Sequence, residues 1–187
     1  MLGVKEALAY TVDVSDPHQV ASTAVQVRQE LGSEVTMLFN NAGICGPLGK
    51  LWEVDAGEMR RNLEVNLLSH FYLTQEFLPG MIAAGGGYIV GTCSVLGLVY
   101  YHTGTPYVIA KHALRAFYEC AREDLRRYEG GSGCKVQITT VFPSIVDTGM
   151  AKMINLKCRQ VGLHTFVHSF THSLLAWLLD APCQVFA

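Results

Sequence analysis

Four short apolar runs alternate with helical periodicities along this chain, and that alternation restricts the fold more than any other feature. Ala7 to Val14 (ALAYTVDV), Val35 to Phe39 (VTMLF), Tyr88 to Cys93 (YIVGTC) and Lys135 to Phe142 (KVQITTVF) read as strands. Runs of this kind suit strands buried on both faces of a parallel sheet. Between them the apolar residues fall at helical spacing. Val20, Ala24, Val27 and Leu31 form one stripe; Met59, Leu63, Leu67, Phe71 and Phe77 mark a second; Tyr107, Ala110, Leu114, Phe117, Ala121 and Leu125 form a third. A β-α-β-α-β-α-β order predicts an α/β fold with crossover helices on a parallel sheet.

Helix punctuation agrees with this reading. Ser15-Asp16-Pro17 offers a capping side chain followed by Pro at the first helical position, and Gly32 closes the first helix. The second spans Asp55 to Met81, with Pro79 and then Gly85-Gly86-Gly87 as its stop; the third runs to about Tyr128, before Gly130-Gly131-Ser132-Gly133. No linker or internal repeat divides the 187 residues, so residues 1–150 and the tail, 151–187, are expected to form one domain. In the tail, Val161 to Leu179 reads as an amphipathic helix, with Leu163, Phe166, Phe170, Leu174 and Trp177 on one side. Packing on the domain or lying on a membrane surface are its two uses.

A net charge of −2 gives nucleic acid no electrostatic footprint. The six cysteines have no metal-ligand spacing and read as free thiols of a reducing compartment; no zinc or other metal site is expected. No secretory signal opens the sequence, and no run is apolar enough to span a bilayer.

Chemistry concentrates at four places. Tyr107 and Lys111 lie i, i+4 on one helix, which puts phenol and ammonium on one face. A cation beside a phenol lowers its pKa and suits it to proton transfer. Ser94 follows a strand at its carboxyl end, where α/β sheets place ligands. Asn40-Asn41-Ala42-Gly43 follows another strand; it is an ordinary turn or a close backbone approach to a ligand. Asn66 sits within a helical pattern as a solvated residue, a kink or a water-binding group.

Taken together, NNAG, Asn66, Ser94, Tyr107 and Lys111 resemble the short-chain dehydrogenase/reductase family, whose Asn-Ser-Tyr-Lys tetrad has the steps of 28, 13 and 4 residues found here. PSIVDTGM is similar to the family's Pro-Gly-x-x-x-Thr segment, with Ser144 in place of the Gly. FLPGMIA and the Ser94–Tyr107 loop are most similar to the branch of retinol, 17β-hydroxysteroid and long-chain dehydrogenases.

The resemblance implies a Rossmann-like doubly wound sheet and an NAD- or NADP-dependent oxidoreductase acting on a lipophilic alcohol or its ketone or aldehyde. It implies Tyr107 as general acid/base, Ser94 as donor to the reacting oxygen, and Lys111 as partner of both phenol and nicotinamide ribose. Asn66 would hold a relay water. Asp13 and Val14 would flank the adenine, and Asn40, Ala42, Gly43 and Val65 would line the cofactor. Pro143, Ile145, Val146 and Thr148 would cover the nicotinamide and its phosphate. It further implies a homodimer through the Asp55–Met81 and Thr105–Tyr128 helices. Peripheral contact with an endoplasmic-reticulum or lipid-droplet membrane, from the cytoplasmic side, is also implied.

The family's first strand, its TGxxxGxG turn, a helix and a second strand have no counterpart in these residues. That gap removes the phosphate cradle and the NAD/NADP discriminator, and it points to a truncated product. Ala7–Val14 is then expected either to re-pair beside Val35–Phe39 or to leave a sheet edge open. A catalytically silent chain that pairs with a full-length relative is the alternative to an enzyme.

Overall fold

The computed structural model describes residues 7–46, 48–128, 134–145 and 150, with the backbone of Gln184–Phe186. Among them, β1 (Met37–Asn40), β2 (Gly87–Thr92), β3 (Val136–Val141) and β4 (Gln184–Phe186) form one sheet in the order β3-β2-β1-β4. Every pairing is parallel. The helices are α1 (Pro17–Leu31), α2 (Ala56–Leu63), α3 (Ser69–Ala83) and α4 (Thr105–Arg126), with a π-helical turn, Glu64–Leu68, joining α2 to α3. This is the expected α/β fold.

α1 shows how local chemistry sets the ends. The Asp16 carboxylate accepts the backbone N–H of His18 at 2.9 Å and of Gln19 at 3.4 Å. Gly32 takes a left-handed φ of 62° and returns its N–H to Arg28 O, as a helix C-cap requires. Val20, Ala24 and Val27 are buried as the stripe predicts; Leu31 is exposed.

Alternation along the strands divides the core. Leu38 and Ile89 join Val20, Ala24, Leu73, Phe77, Met81, Leu114 and Tyr118 in the main cluster, against α1, α3 and α4. Met37, Phe39 and Val90 belong to a second, smaller cluster with Val141, as the two-residue period of a strand demands.

Two expectations need correction. Ala7–Val14 is not a strand: it forms no ladder, and Leu8 is exposed while Tyr10 and Val12 pack against the main cluster. The β1 edge is taken instead by β4, in the register Met37↔Gln184, so the predicted strand has no partner there. Pro79 does not end a helix either; α3 continues through it to Ala83. Phe77 and Met81, both fully buried, hold that segment, and tertiary burial outweighs the missing hydrogen bond. The 161–179 stretch lies outside the described residues. No described helix is long and apolar enough to cross a membrane.

Candidate active site

Ser94 stands just past the carboxyl end of β2 and caps a short 3-10 turn, Val95–Gly97, its hydroxyl accepting Leu96 N–H at 3.1 Å. Tyr107 and Lys111 come from the first turns of α4, whose Gly97 contact is tight: a Cβ on Gly97 would lie 2.7 Å from Lys111 O and from Cys93 Sγ. Close packing of that turn on α4 therefore brings the hydroxyl towards the phenol. The Ser94 hydroxyl is near enough to the Tyr107 phenol to act against the effect of burial on its pKa. Lys111 Nζ lies 5.6 Å from the Tyr107 ring centroid and donates to Thr92 O at 3.0 Å.

Charge at this site follows burial. Lys111 is only 3% exposed, and desolvation brings its pKa down to about 8. The Tyr107 phenol is pushed up, first by burial, with the Ser94 hydroxyl partly offsetting it. The sequence-based expectation of a lowered phenol is thus reversed. Withdrawal from water disfavours the phenolate more than its surroundings favour it.

Asn66 lies in the π-turn and is fully buried. Its amide clamps one residue from both sides: Oδ1 accepts Ile44 N–H at 2.9 Å, and Nδ2 donates to Ile44 O at 2.8 Å and to Asn62 Oδ1 at 2.8 Å. Asn62 in turn donates to Cys45 O at 3.1 Å. The two asparagines therefore fasten the segment after β1, and Asn66 has spent both amide hydrogens, one on Ile44 O and one on Asn62 Oδ1. Gly43 fits between: a Cβ there would lie 2.9 Å from Asn66 Oδ1 and 3.7 Å from Lys111 Nζ. Val65, beside Asn66, is buried. Pro143 reaches the site through its carbonyl, which accepts Val95 N–H at 3.0 Å.

Other expected positions stand apart from this group. Asn40 turns its side chain inward and is fully buried, so only its backbone is left for a cofactor. Asp13 binds locally: its carboxylate accepts the Ser15 hydroxyl at 2.6 Å, which holds its pKa below the usual value. Val14 is half-buried next to it, and Ile145 is exposed. Val146 and Thr148 lie outside the described residues.

Sequence reasoning passed over a buried polar cluster behind the loop. Asn40 Nδ2 donates to Tyr118 Oη at 3.0 Å and Thr74 Oγ1 at 3.2 Å, and lies 3.4 Å from His70 O. Tyr118 Oη is 2.8 Å from His70 Nδ1. A readable signal existed, since Asn62, Asn66, His70 and Thr74 recur at four-residue steps. Asn40 is the register partner of Gly91, and a Cβ on Gly91 would collide with the edge of the Tyr118 ring and its hydroxyl. The bare strand thus admits the ring.

The residues present suit the nicotinamide half of a dinucleotide. Gly43 supplies a side-chain-free approach beside Asn66 and Lys111, and Thr92 takes one of the three donors of Lys111. Among the described residues no group of three metal-ligating side chains occurs.

The family profile of short chain dehydrogenases matches residues 2–159. Among curated relatives, 17-beta-hydroxysteroid dehydrogenase 13 of Homo sapiens is 36% identical over 155 residues, covering 81% of this chain and 48% of the relative. Retinol dehydrogenase 10 of Homo sapiens is 35% identical, covering 78% and 41%. 1-deoxy-11-beta-hydroxypentalenate dehydrogenase of Streptomyces exfoliatus is 31% identical, covering 92% and 60%. The chain thus spans about half the length of the curated relatives it matches. A solved Burkholderia phymatum short chain dehydrogenase/reductase in complex with NAD is similar at TM-score 0.68 and 27% identity, covering 92% of this chain and 61% of that one.

Proposed function

The chain belongs to the short-chain dehydrogenase family, and on that premise we propose that it is an NAD(P)-dependent oxidoreductase interconverting a lipophilic alcohol with its ketone or aldehyde. The observation that carries this reading is the convergence of Ser94, Tyr107 and Lys111 at the carboxyl end of β2. The nicotinamide, when bound, supplies or accepts the hydride. Tyr107 gives or takes the proton at the reacting oxygen, and Ser94 donates a hydrogen bond that stabilises charge developing there. Lys111 holds the ribose hydroxyls and, charged below about pH 8, favours the phenolate. Gly43, Ala42, Val65 and the Asn40 backbone line that half of the cofactor; Pro143, Ile145, Val146 and Thr148 would cover it. Asp13 and Val14 would meet the adenine. A relay water, if Asn66 positions one, must use an atom other than its Nδ2.

Lipophilic substrates of retinoid, steroid or long-chain type are inferred from the relatives named above and from exposed apolar groups in the two loops next to the site. Trp52 is 79% and Tyr100 90% exposed, with Leu51, Leu98 and Val99 also open. The same groups support peripheral membrane contact. Homodimerisation through the helices is supported by exposed Phe71 on α3 and Ile109 on α4. A shallow groove of about 420 Å³ along α2, lined by Met59, Leu63 and Leu68, adds to that surface.

Titration with NADH and NADPH, followed by turnover of retinol, a 17β-hydroxysteroid and a long-chain alcohol, tests the reading. Saturable micromolar binding and turnover lost in Tyr107→Phe are expected. No binding at several millimolar would refute it and favour a silent partner of a longer relative. That second reading is supported by the Ala7–Val14 segment, which has strand composition but joins no ladder among the described residues.

A further inference from the structure

The cluster behind the loop has a direction, and it can be derived atom by atom. His70 O can only accept, so the Asn40 side-chain atom 3.4 Å from it is the amide nitrogen. That nitrogen can only donate, so Tyr118 Oη accepts from it at 3.0 Å. The phenolic hydrogen then goes to His70 Nδ1, 2.8 Å away. A neutral imidazole whose Nδ1 accepts carries its proton on Nε2. Burial together with the nearby Lys111 charge keeps the ring neutral, its pKa down to about 3.

His70 Nε2 is buried without a hydrogen-bond partner among the described residues, and the Ala42 backbone is the neighbour that raises the ring's pKa against its burial. Ala42 lies between Asn40, where the chain of donors starts, and Ile44, which Asn66 clamps. We propose that Asn40, Tyr118 and His70 form a one-way hydrogen-bond chain that seats the Asn41–Gly43 loop, with His70 as a positioning residue whose Nε2–H restrains the Ala42 carbonyl. Its bearing on the reaction rests on the function proposed above, since the loop would line the cofactor. The seating itself is measured without cofactor or turnover, so either idea can fail alone.

The test uses the full chain without ligand. Ring ¹⁵N NMR of wild type should show His70 protonated at Nε2 and not at Nδ1. Hydrogen exchange then compares the Ile44 amide, which reports the loop, with the Val90 amide of β2, which reports the sheet. His70→Gln keeps a donor near the Nε2 position; His70→Asn keeps only groups near Nδ1. Ile44 exchange should rise roughly tenfold in His70→Asn and stay within roughly threefold of wild type in His70→Gln, with Val90 unchanged in both. Should His70→Asn lose its cooperative melt, Tyr118→Phe replaces it and should raise Ile44 exchange in the same selective way. A proton on Nδ1 in wild type, equal acceleration in the Asn and Gln variants, or acceleration shared by Val90 would each overturn the proposal.

Discussion

Raising the pH through the alkaline range should stabilise this chain, because Lys111 is buried as a cation that burial disfavours. Its pKa is about 8 in the fold against 10.5 when solvated. Between those values the unfolded chain binds more protons than the native one, so unfolding free energy rises with pH and is lost again as pH falls through the folded pKa. Going from about pH 7 to about pH 10 titrates nearly two units' worth of that gap, or about 2 to 3 kcal/mol at roughly 1.4 kcal/mol per unit. Buried thiols at Cys45 and Cys93 and the Tyr107 phenol have raised pKa values and act in the opposite sense towards the upper end of the range. The assay is therefore a difference: urea unfolding of wild type and of Lys111→Met at several pH values, with Cys45 and Tyr107 common to both and Cys93, whose thiol the Lys111 charge lowers, shifted in the sense that widens the difference. Wild type should gain on the variant steadily as pH rises. Parallel profiles would show that Lys111 is solvated in the native state, and the account of its environment would be wrong.

Three further outcomes follow from named contacts. Gly91→Ala should destabilise by about 2 to 4 kcal/mol in chemical unfolding, from an overpacked Tyr118 ring together with its displaced buried hydrogen bonds. Gly43→Ala, whose Cβ would crowd Asn66 Oδ1, should weaken NADH or NADPH affinity by about tenfold or more in calorimetric titration, with a melting temperature near wild type. Asp16→Ala should cost about 1 kcal/mol in thermal or urea unfolding, through loss of the α1 cap to His18 and Gln19.

Where a residue's role depends on its neighbours in sequence, reading worked well. Asp16, Pro17 and Gly32 define α1 without reference to anything distant. Spacing placed Tyr107 and Lys111 on one helix and Ser94 at the carboxyl end of a strand, because each of those placements is local. Failures came where the deciding partner lies far away along the chain. Ala7–Val14 has strand composition, but a strand exists only through its ladder, and the β1 edge is held by three residues near position 185. The environment of Tyr107 depended on how deeply the folded domain buries its phenol, which spacing does not encode. Similarly, the Tyr118 hydroxyl finds Asn40 only across the bare backbone of Gly91 on another strand.

The widened turn at Glu64–Leu68 carries the polar stripe of Asn62, Asn66, His70 and Thr74 from α2 into α3. Upstream, Asn62 points at the chain emerging from β1; downstream, Leu73, Phe77 and Met81 point at the sheet. Excising one residue within the turn would swing everything beyond it by roughly 100° about the axis. A change in length at that spot would therefore be borne by the asparagine end and the apolar end together.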